Sequence, residues 1–362
     1  MKDVTNMYHQ RLPHNTKPTA MYTNNTTRTR ARRNNKGQSL RHSSNAVITS
    51  PVPMQQDSLK ASSQTLPPVP KPMQRSFTVS DKVIGKGAKS VVKLGRCDQT
   101  FERVAVKIMN KSALSETNLT ALRLEEEILQ RVEECSGGSN RFVRLLGKEE
   151  NDKEIRLIME HISGGELFDY CIKHPRGVPE AQLRPIMRQI LSSVALLHSY
   201  NVVHLDLKLE NLMYNPATGH CTILDFGFAK HDVERDPTTG LPRKVAHRTF
   251  CGSIHYAAPE LICQTPFDGK KADVWSLGVL LYAMAASKFP FDDRQDRRNV
   301  IFNKILRDDV KPPAHLSPEL ASLIRMMLTR EPTHRPSIEV LLHHPWFNVR
   351  VGEQSPSLQL RG

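Results

Sequence analysis

Hydrophobic and polar positions follow a strand-like pattern in the first part of the chain and a helical pattern in the rest. Short apolar runs, most of them separated by polar or turn-forming residues, lie at 77–84, 91–97, 103–110, 143–149 and 155–161. The charged segment 118–134, between the third and fourth of these runs, has a helical pattern. Together these runs predict a strand-rich N-terminal region that carries one helix.

After the glycines at 164 and 165 the pattern becomes helical. Segment 179–200 carries Ile186, Ile190 and Val194 on one face, at the spacing of an amphipathic helix. Strands followed by helices predict an α+β fold with a small β-rich N-lobe, a larger helical C-lobe and a cleft between the two lobes. Further helical patterns fill segments 271–286, 317–328 and 337–342.

The first 76 residues show neither the strand-like nor the helical pattern, and they are rich in Asn, Thr, Ser, Arg and Pro. Such a segment buries too little apolar surface to offset the entropy lost on ordering, so we predict a disordered basic tail at 1–76. The expected organisation is this tail, one domain at 77–348 and a short C-terminal tail at 349–362.

Most of the net charge of +14 belongs to this tail, because residues 1–75 hold 12 Lys or Arg and 2 Asp or Glu. The basic run 28–33 has three interpretations: a nuclear import signal, an anion-binding patch or, as we favour, a solvated chain. Nucleic acid is therefore not an expected partner. The proline-rich run 66–72 favours polyproline II, either as a stiff spacer or as the ligand of a polyproline-binding partner.

The location of the protein is constrained by what the chain lacks. No apolar run approaches the roughly 18 residues that a membrane helix needs, so membrane insertion is not expected. The N-terminus lacks the apolar segment of a secretory signal. Six cysteines without metal-site or redox spacing are typical of a reduced intracellular protein. We expect a cytoplasmic protein, with nuclear import as the alternative.

A glycine-rich motif lies between the first two predicted strands. Because glycine has no Cβ, the backbone of such a loop can approach phosphate groups closely and direct its N–H groups at them. A strand rather than a helix follows, which excludes a dinucleotide-binding motif, although a glycine turn in any hairpin has a similar sequence. The candidate phosphate-binding residues are Ile84, Gly85, Lys86, Gly87, Ala88, Lys89, Ser90, Val91 and Val92.

A lysine stands near the end of the third predicted strand, directly after an apolar run. Lys107 is costly to bury there without a partner, and the following helix offers Glu125, Glu126 and Glu127. The residues alone do not select one of these three glutamates. The alternative is a surface lysine beside an acidic helix.

Two further polar motifs follow apolar runs. Asp206, Lys208 and Asn211 form a compact set that can supply the base, the cation and the metal ligand of phosphoryl transfer, in that order. Asp225 follows the apolar run 221–224, and a carboxylate at the end of a buried strand suits Mg²⁺. For each motif the alternative is a polar turn that caps a strand.

Together, in this order and in these contexts, the motifs resemble the eukaryotic protein kinase family over residues 77–348. Later markers match as well: the run 258–260, Asp273 at the start of a buried helix, and Arg335. In the family, the counterparts of Glu260 and Arg335 form a buried ion pair. The resemblance implies the bilobal protein kinase fold and a signalling enzyme that transfers the γ-phosphoryl group of ATP, bound with Mg²⁺, to protein substrates.

The resemblance also implies a role for each motif residue. Lys107 is expected to hold the α and β phosphates with Glu125 as its partner, and Asp206 to orient and deprotonate the hydroxyl. Lys208 is expected to steady the γ-phosphate. The remaining assignments are Asn211 and Asp225 for Mg²⁺, Val92, Ala105 and Met213 around adenine, Met159 as gatekeeper, and Glu160 to Ile162 as the hinge that reads the adenine edge.

Several segments narrow the subgroup. Lys208, two residues after the base, is similar to serine/threonine kinases, and segments 164–169 and 250–256 resemble the calcium/calmodulin-dependent and AMP-activated kinase group. Glu166 and Glu210 match two glutamates that bind an arginine three residues before the target hydroxyl in basophilic relatives. The resemblance therefore implies a preference for basic residues N-terminal to the target.

Three positions depart from the family pattern: Leu205 before the base, Leu209 after it and Ser90 in the glycine-rich motif. None removes a catalytic group, so we expect an active enzyme rather than a pseudokinase that binds partners without catalysis. The segment from Asp225 to Glu260 is longer than the family pattern, through residues 231–246. Leu205 replaces the arginine that normally binds a phosphate at the position of Thr249, so we expect activity without that phosphate.

Overall fold

The computed structural model describes residues 75–87, 89–248 and 252–348. Nearly all of the predicted tail 1–76, with its basic and proline-rich runs, lies outside the described residues. The predicted tail 349–362, Ala88 and Thr249 lie outside them as well. Among the described residues, no helix combines the length and the apolar character needed to cross a membrane.

Five antiparallel strands form the sheet of the N-terminal lobe. They are β1 (Phe77–Lys86), β2 (Val91–Cys97), β3 (Arg103–Asn110), β4 (Leu145–Glu150) and β5 (Glu154–Glu160), in the spatial order β1-β2-β3-β5-β4. Helix α1 (Glu116–Ser136) connects β3 to β4. The five predicted strands and the predicted helix of this region are thus confirmed, and their ends agree to within two residues.

The two faces of this sheet enter different apolar clusters because successive residues of a strand point to opposite faces. Val104 of β3 packs with Ile158 of β5 in one cluster. On the opposite face, Leu157 of β5 packs with Leu122 of α1. Lys107, three positions after Val104, projects from the face that α1 covers.

The ends of α1 are set by local hydrogen bonds and by a glycine. Asn118 N donates to Ser115 Oγ over 3.3 Å, and Ser115 N donates to Asn118 Oδ1 over 3.1 Å, which forms a reciprocal capping box. At the other end, Gly137 adopts the left-handed conformation with φ of 62°. These caps explain why the helix is slightly longer than its hydrophobic pattern predicts.

The C-terminal lobe is mainly helical, as predicted, and contains several short strands. Its elements, in chain order, are β6 (Gly165–Glu166), α2 (Leu167–Ile172), α3 (Glu180–Ser199), β7 (Val202–Val203), β8 (Leu212–Asn215), β9 (His220–Ile223), β10 (Lys230–His231), β11 (Val233–Arg235), β12 (Pro242–Lys244), α4 (Pro259–Ile262), α5 (Gly269–Ala286), α6 (Arg298–Arg307), α7 (Pro318–Met327) and α8 (Ile338–Leu342). The predicted helical segments 179–200, 271–286, 317–328 and 337–342 are confirmed as α3, α5, α7 and α8.

Helix α5 lies in the core of this lobe. Nearly all of its side chains are buried, including the whole of Trp275. Gly278 allows α7 to approach closely, because a Cβ at this position would lie 2.8 Å from the Cβ of Met327. The face of α3 that carries Ile190 and Val194 is fully buried against the same core, as its spacing predicts.

Helix α6 and the hairpin of β11 and β12 are not predicted by the sequence pattern. Within α6 only Ile301 and Ile305 are buried, so its ten residues carry a weak helical period. Strands β11 and β12 contain three residues each and pair from Val233 with Lys244 to Arg235 with Pro242. This hairpin occupies the long segment that the sequence leaves without a regular pattern.

A buried ion pair joins α4 to the region after α7. Arg335 donates from Nη1 to Glu260 Oε1 over 2.6 Å and from Nη2 to Oε2 over 2.7 Å. The guanidinium also donates to the carbonyls of Thr329, Arg330 and Lys271, and lies 5.0 Å from the centre of the Trp275 ring. The pair expected from the family resemblance is therefore present, with every donor group of Arg335 in use.

Candidate active site

Lys107 of β3 and Glu125 of α1 form a buried ion pair. Lys107 Nζ lies 2.6 Å from Glu125 Oε1 and 3.2 Å from Asp225 Oδ1. Burial by itself lowers the pKa of the Lys107 ammonium, but the carboxylates of Glu125 and Asp225 outweigh burial and raise the pKa above its ordinary value. Lys107 is therefore a permanent cation beside the Asp225 carboxylate.

The other two candidate partners of Lys107 pair elsewhere. Glu126 Oε2 accepts from Lys148 Nζ of β4 over 2.8 Å, and Glu127 Oε1 lies 3.1 Å from His231 Nε2 of β10. Consecutive residues of an α-helix point about 100° apart, so only one of three neighbouring glutamates can face β3. Of the three glutamates, Glu125 is therefore the one that contacts Lys107.

Asp206, Lys208 and Asn211 converge on a single carboxylate. Lys208 Nζ donates to Asp206 Oδ2 over 2.7 Å, and Asn211 Nδ2 donates to the same oxygen over 3.0 Å. Asn211 Nδ2 also lies 2.8 Å from the Asp206 carbonyl oxygen. Because Asp206 is only 4% exposed, these bonds fix the orientation of its side chain.

Asp273 of α5 holds the backbone of this loop, a role that the sequence interpretation missed. Its fully buried carboxylate accepts from the N–H groups of His204 over 2.9 Å and Leu205 over 2.8 Å, and from His198 Nε2 over 2.9 Å. A carboxylate buried in a core helix requires such partners. The signal in the sequence is the single acidic residue of a helix that is almost entirely apolar after Lys271.

Asp225 connects the loop to the Lys107 pair. Leu224 N donates to the Asn211 carbonyl over 2.8 Å, which places Asp225 beside Asn211 along the chain fold. Burial acts to raise the pKa of the Asp225 carboxyl, but the ammonium of Lys107 outweighs burial and lowers the pKa below its ordinary value. A Cβ on Gly227 would lie 3.2 Å from Asp225 Oδ1, so glycine keeps this carboxylate uncrowded.

The backbone at two of these positions is strained. Leu205 has a φ of 62° and Asp225 a φ of 45°, in the left-handed region that non-glycine residues rarely adopt. Such conformations persist only where the surrounding structure enforces them, and they are concentrated at functional sites. The hydrogen bonds that the backbone N–H groups of His204 and Leu205 donate to Asp273 supply that enforcement at Leu205.

Ser253 is a further polar contact that the sequence interpretation missed. Lys208 Nζ donates to Ser253 Oγ over 3.1 Å, and Ser253 Oγ donates to Asp206 Oδ1 over 3.3 Å. Next to it, Gly252 has a φ of 84°, and a Cβ there would lie 2.8 Å from the Leu205 carbonyl oxygen. The chain after residue 252 therefore packs directly on the Asp206 loop.

The glycine-rich motif forms the turn between β1 and β2. Gly87 N donates to the Ser90 carbonyl over 2.9 Å, and a Cβ on Gly87 would lie 2.7 Å from Ser90 Oγ. Lys89 Nζ donates to Asn118 Oδ1 at the start of α1 over 2.7 Å. Ile84, Gly85 and Lys86 end β1, Val91 and Val92 begin β2, and Ala88 lies outside the described residues.

The residues expected around adenine lie at half-buried positions on three strands. Val92 is in β2, Ala105 in β3 pairs with Met159 of β5, and Met213 is in β8. Partial exposure of apolar side chains is typical of the lining of an open cleft. Glu160 and Ile162, expected as the hinge, are also half-buried, and the Glu160 carboxylate accepts from Arg144 N and Nε over 3.0 Å each.

The family model of the protein kinase domain matches residues 78–347. The chain belongs to the protein kinase family. Members of this family transfer phosphoryl groups to proteins and generally use ATP and Mg²⁺. The donor set of this kinase fits both groups, because Lys107 pairs with the carboxylate of Asp225, while Lys208 and the amide of Asn211 meet at Asp206 Oδ2. Carboxylate and amide oxygens are ligands that Mg²⁺ prefers.

Leu205, where this kinase departs from the family pattern, is a core residue. The Leu205 side chain is 5% exposed and belongs to the main apolar cluster of the C-terminal lobe. A leucine in this environment offers no cation to a phosphate. The site thus has a buried leucine where the family pattern places an arginine before Asp206.

Proposed function

We propose that the protein is a serine/threonine kinase of the calcium/calmodulin-dependent and AMP-activated group that phosphorylates protein hydroxyls with Asp206 as the base. The observation that carries this proposal is the convergence of Lys208 and Asn211 on Asp206, beside the Lys107–Glu125 pair. Lys208 favours serine and threonine over tyrosine as acceptors. Peptides that differ only in Ser, Thr or Tyr at the acceptor position test the assignment, and efficient phosphorylation of the tyrosine peptide alone would overturn it.

The two oxygens of Asp206 have different roles in this proposal. Oδ2 accepts from Lys208 and Asn211, whereas Oδ1 accepts only the longer bond from Ser253 Oγ among the described contacts. Oδ1 is therefore the oxygen that receives the proton of the substrate hydroxyl. The ammonium of Lys208, held next to that carboxylate, stabilises negative charge on the transferred phosphoryl group.

Lys107, Asn211 and Asp225 serve the nucleotide. Lys107 binds the α and β phosphates, and its pairing with Glu125 fixes the position of the ammonium. Asn211 and Asp225 would hold Mg²⁺, which supplies charge neutralisation at the phosphates when bound. The turn at Gly87, where no side chain intervenes, gives the backbone of the glycine-rich motif access to the phosphate oxygens.

A preference for arginine three residues before the target is supported by the state of Glu210. Its Oε2 is buried and has no hydrogen-bond partner among the described residues. Burial raises the pKa of the Glu210 carboxyl, and the nearby carboxylates of Asp206 and Glu166 act in the same direction. A substrate guanidinium would relieve both the desolvation and the repulsion. Some relatives bind a second arginine with a third acidic residue, but the matching position here is the fully buried Ala283, which offers no carboxylate.

We expect Glu210→Gln to lower kcat/KM by roughly tenfold to a hundredfold for a peptide with arginine at −3, because a hydrogen bond to a charged group is lost. The same variant should change kcat/KM little for a matched peptide with alanine at −3. Glu319→Gln, on the surface of α7, is the control variant. Equal losses on both peptides, or a wild-type preference for acidic or proline-flanked sites, would refute the assignment.

Activity without a phosphate at Thr249 follows from Leu205. The buried leucine cannot pair with phosphate, so a phosphate there has little to bind at this position. We expect Thr249→Ala, and wild type treated with phosphatase, to keep kcat/KM within about threefold of untreated wild type. A loss of a hundredfold in both, roughly 2.7 kcal/mol of transition-state stabilisation, would contradict this expectation.

A further inference from the structure

Two buried polar atoms in the segment between Asp225 and Glu260 have no hydrogen-bond partner among the described residues. They are Asp232 Oδ1 and His247 Nε2, which lie 3.7 Å from each other. The side chains of both residues are 2% exposed. A third side chain, Lys270 of α5, places Nζ 3.7 Å from Asp232 Oδ2 and is 32% exposed.

The burial of these groups has a cost that their mutual interaction and the ammonium of Lys270 can offset. A buried carboxylate without hydrogen bonds is strongly unfavourable, and a nearby cation reduces this cost. With a proton on His247 Nε2, an approach of about 1 Å would produce a charge-assisted hydrogen bond to Asp232 Oδ1 and satisfy both atoms. Lys270, the member that reaches solvent, neutralises the second carboxylate oxygen.

The backbone on either side ties this cluster to the catalytic loop and to α5. Asp232 N donates to the Asn201 carbonyl over 2.8 Å, and the preceding strand β10 pairs with β7. Strand β7 leads directly into His204 and the Asp206 loop. His247 exchanges backbone hydrogen bonds of 3.0 and 2.9 Å with Phe267, just before α5.

The cluster joins the two ends of the inserted segment, because Asp232 precedes β11 and His247 follows β12. The chain after residue 252 packs on Leu205 and Asp206, in the same loop that β7 leads into. A kinase that has leucine at 205 needs another way to hold this segment. The cluster supplies charges for that purpose without any phosphate.

We propose that Asp232, His247 and Lys270 form an electrostatic clamp that positions the segment between Asp225 and Glu260 for protein substrates in the absence of a loop phosphate. The proposal rests on the proposed kinase function. All three are positioning residues, since they act through the segment and through β7 and not on the reacting atoms. The clamp therefore affects protein-substrate turnover and leaves the nucleotide-binding residues unchanged.

The test measures kcat/KM for a protein substrate, KM for ATP and the melting temperature, in full-length wild type, Asp232→Asn, Lys270→Gln and the double variant. We expect each single variant to lose at least about tenfold in kcat/KM for protein, with KM for ATP within about twofold of wild type. The double variant should lose no more than the worse single variant, because the two residues act as one unit. Lys270→Arg, which keeps the cation, should restore most of the activity.

The control is Arg243→Gln, which breaks an exposed pair with Glu234 in the same hairpin and should leave kcat/KM unchanged. Wild-type kcat/KM in Asp232→Asn and Lys270→Gln, or additive losses in the double variant, would overturn the clamp. If Asp232→Asn does not fold, the Gln and Arg variants of the partly exposed Lys270 still test the clamp through kcat/KM for the protein substrate. An inactive wild type would instead overturn the proposed function, so the two failures are distinguishable.

Discussion

Asp206→Asn is expected to lower kcat for protein phosphorylation by about a thousandfold or more, roughly 4 kcal/mol of lost transition-state stabilisation. Asparagine cannot take the proton of the substrate hydroxyl, although its amide oxygen can still accept hydrogen bonds from Lys208 and Asn211. The isosteric change is preferable to alanine, which would remove the side-chain acceptor that both donors share. The measurement is kcat with saturating Mg-ATP, together with the melting temperature.

Asp152→Asn provides the matched control, since this aspartate is exposed in the turn between β4 and β5. It should retain wild-type kcat, and both variants should melt close to the wild-type temperature. An Asp206→Asn enzyme within tenfold of wild-type kcat would show that Asp206 is not the base.

Glu260→Gln is expected to lower the free energy of unfolding by about 3–5 kcal/mol, the largest stability effect in this set. The substitution leaves the guanidinium of Arg335 buried without a counter-charge, where its side chain is fully inaccessible to solvent. Because a domain has only about 5–15 kcal/mol of total stability, this loss is a large fraction of it. Urea unfolding of the full-length protein measures it.

Asp81→Asn breaks the exposed pair with Lys93, whose atoms lie 3.4 Å apart, and serves as the comparison. A surface pair of this kind contributes about 0–1 kcal/mol. If Glu260→Gln costs no more than Asp81→Asn, the pair does not stabilise the lobe as its geometry indicates.

The residues of the candidate active site can be identified from the sequence because each stands in a short motif beside an apolar run. Asp206 and Asp225 follow such runs, and the structure brings them together around Lys107 and Asn211. The main strands and helices are also predictable, since their periods extend over six residues or more in nearly every case. Local pattern and local structure agree in these elements.

The partner of Lys107 cannot be chosen from the residues alone. Glu125, Glu126 and Glu127 have the same chemistry, and only the rotation of α1 about its axis decides which one faces β3. That rotation depends on the packing of Leu122 against the sheet, a contact between residues distant in the chain. The family resemblance singles out Glu125, whereas the helical pattern does not distinguish the three glutamates.

The contacts that support the site are the least predictable part. Asp273 and Ser253 reach the catalytic loop from positions 47 to 69 residues away in sequence. Asp232 and His247 lie in a segment with no regular pattern, and a lone aspartate or histidine there carries no local signal of burial. Their burial results from tertiary packing against α5 and β7. The hydrophobic pattern of one segment carries no information about such long-range contacts.

The most direct test of the proposed function is to measure whether the protein transfers the γ-phosphoryl group of ATP to a protein hydroxyl. Full-length wild type is incubated with γ-labelled ATP, Mg²⁺ and a mixed protein substrate, and the labelled amino acids are identified. We expect label on serine or threonine that disappears without Mg²⁺ and in a folded Asp225→Ala variant, which lacks a proposed metal ligand. Label on tyrosine alone, or no transfer by a folded wild type that binds Mg-ATP, would contradict it.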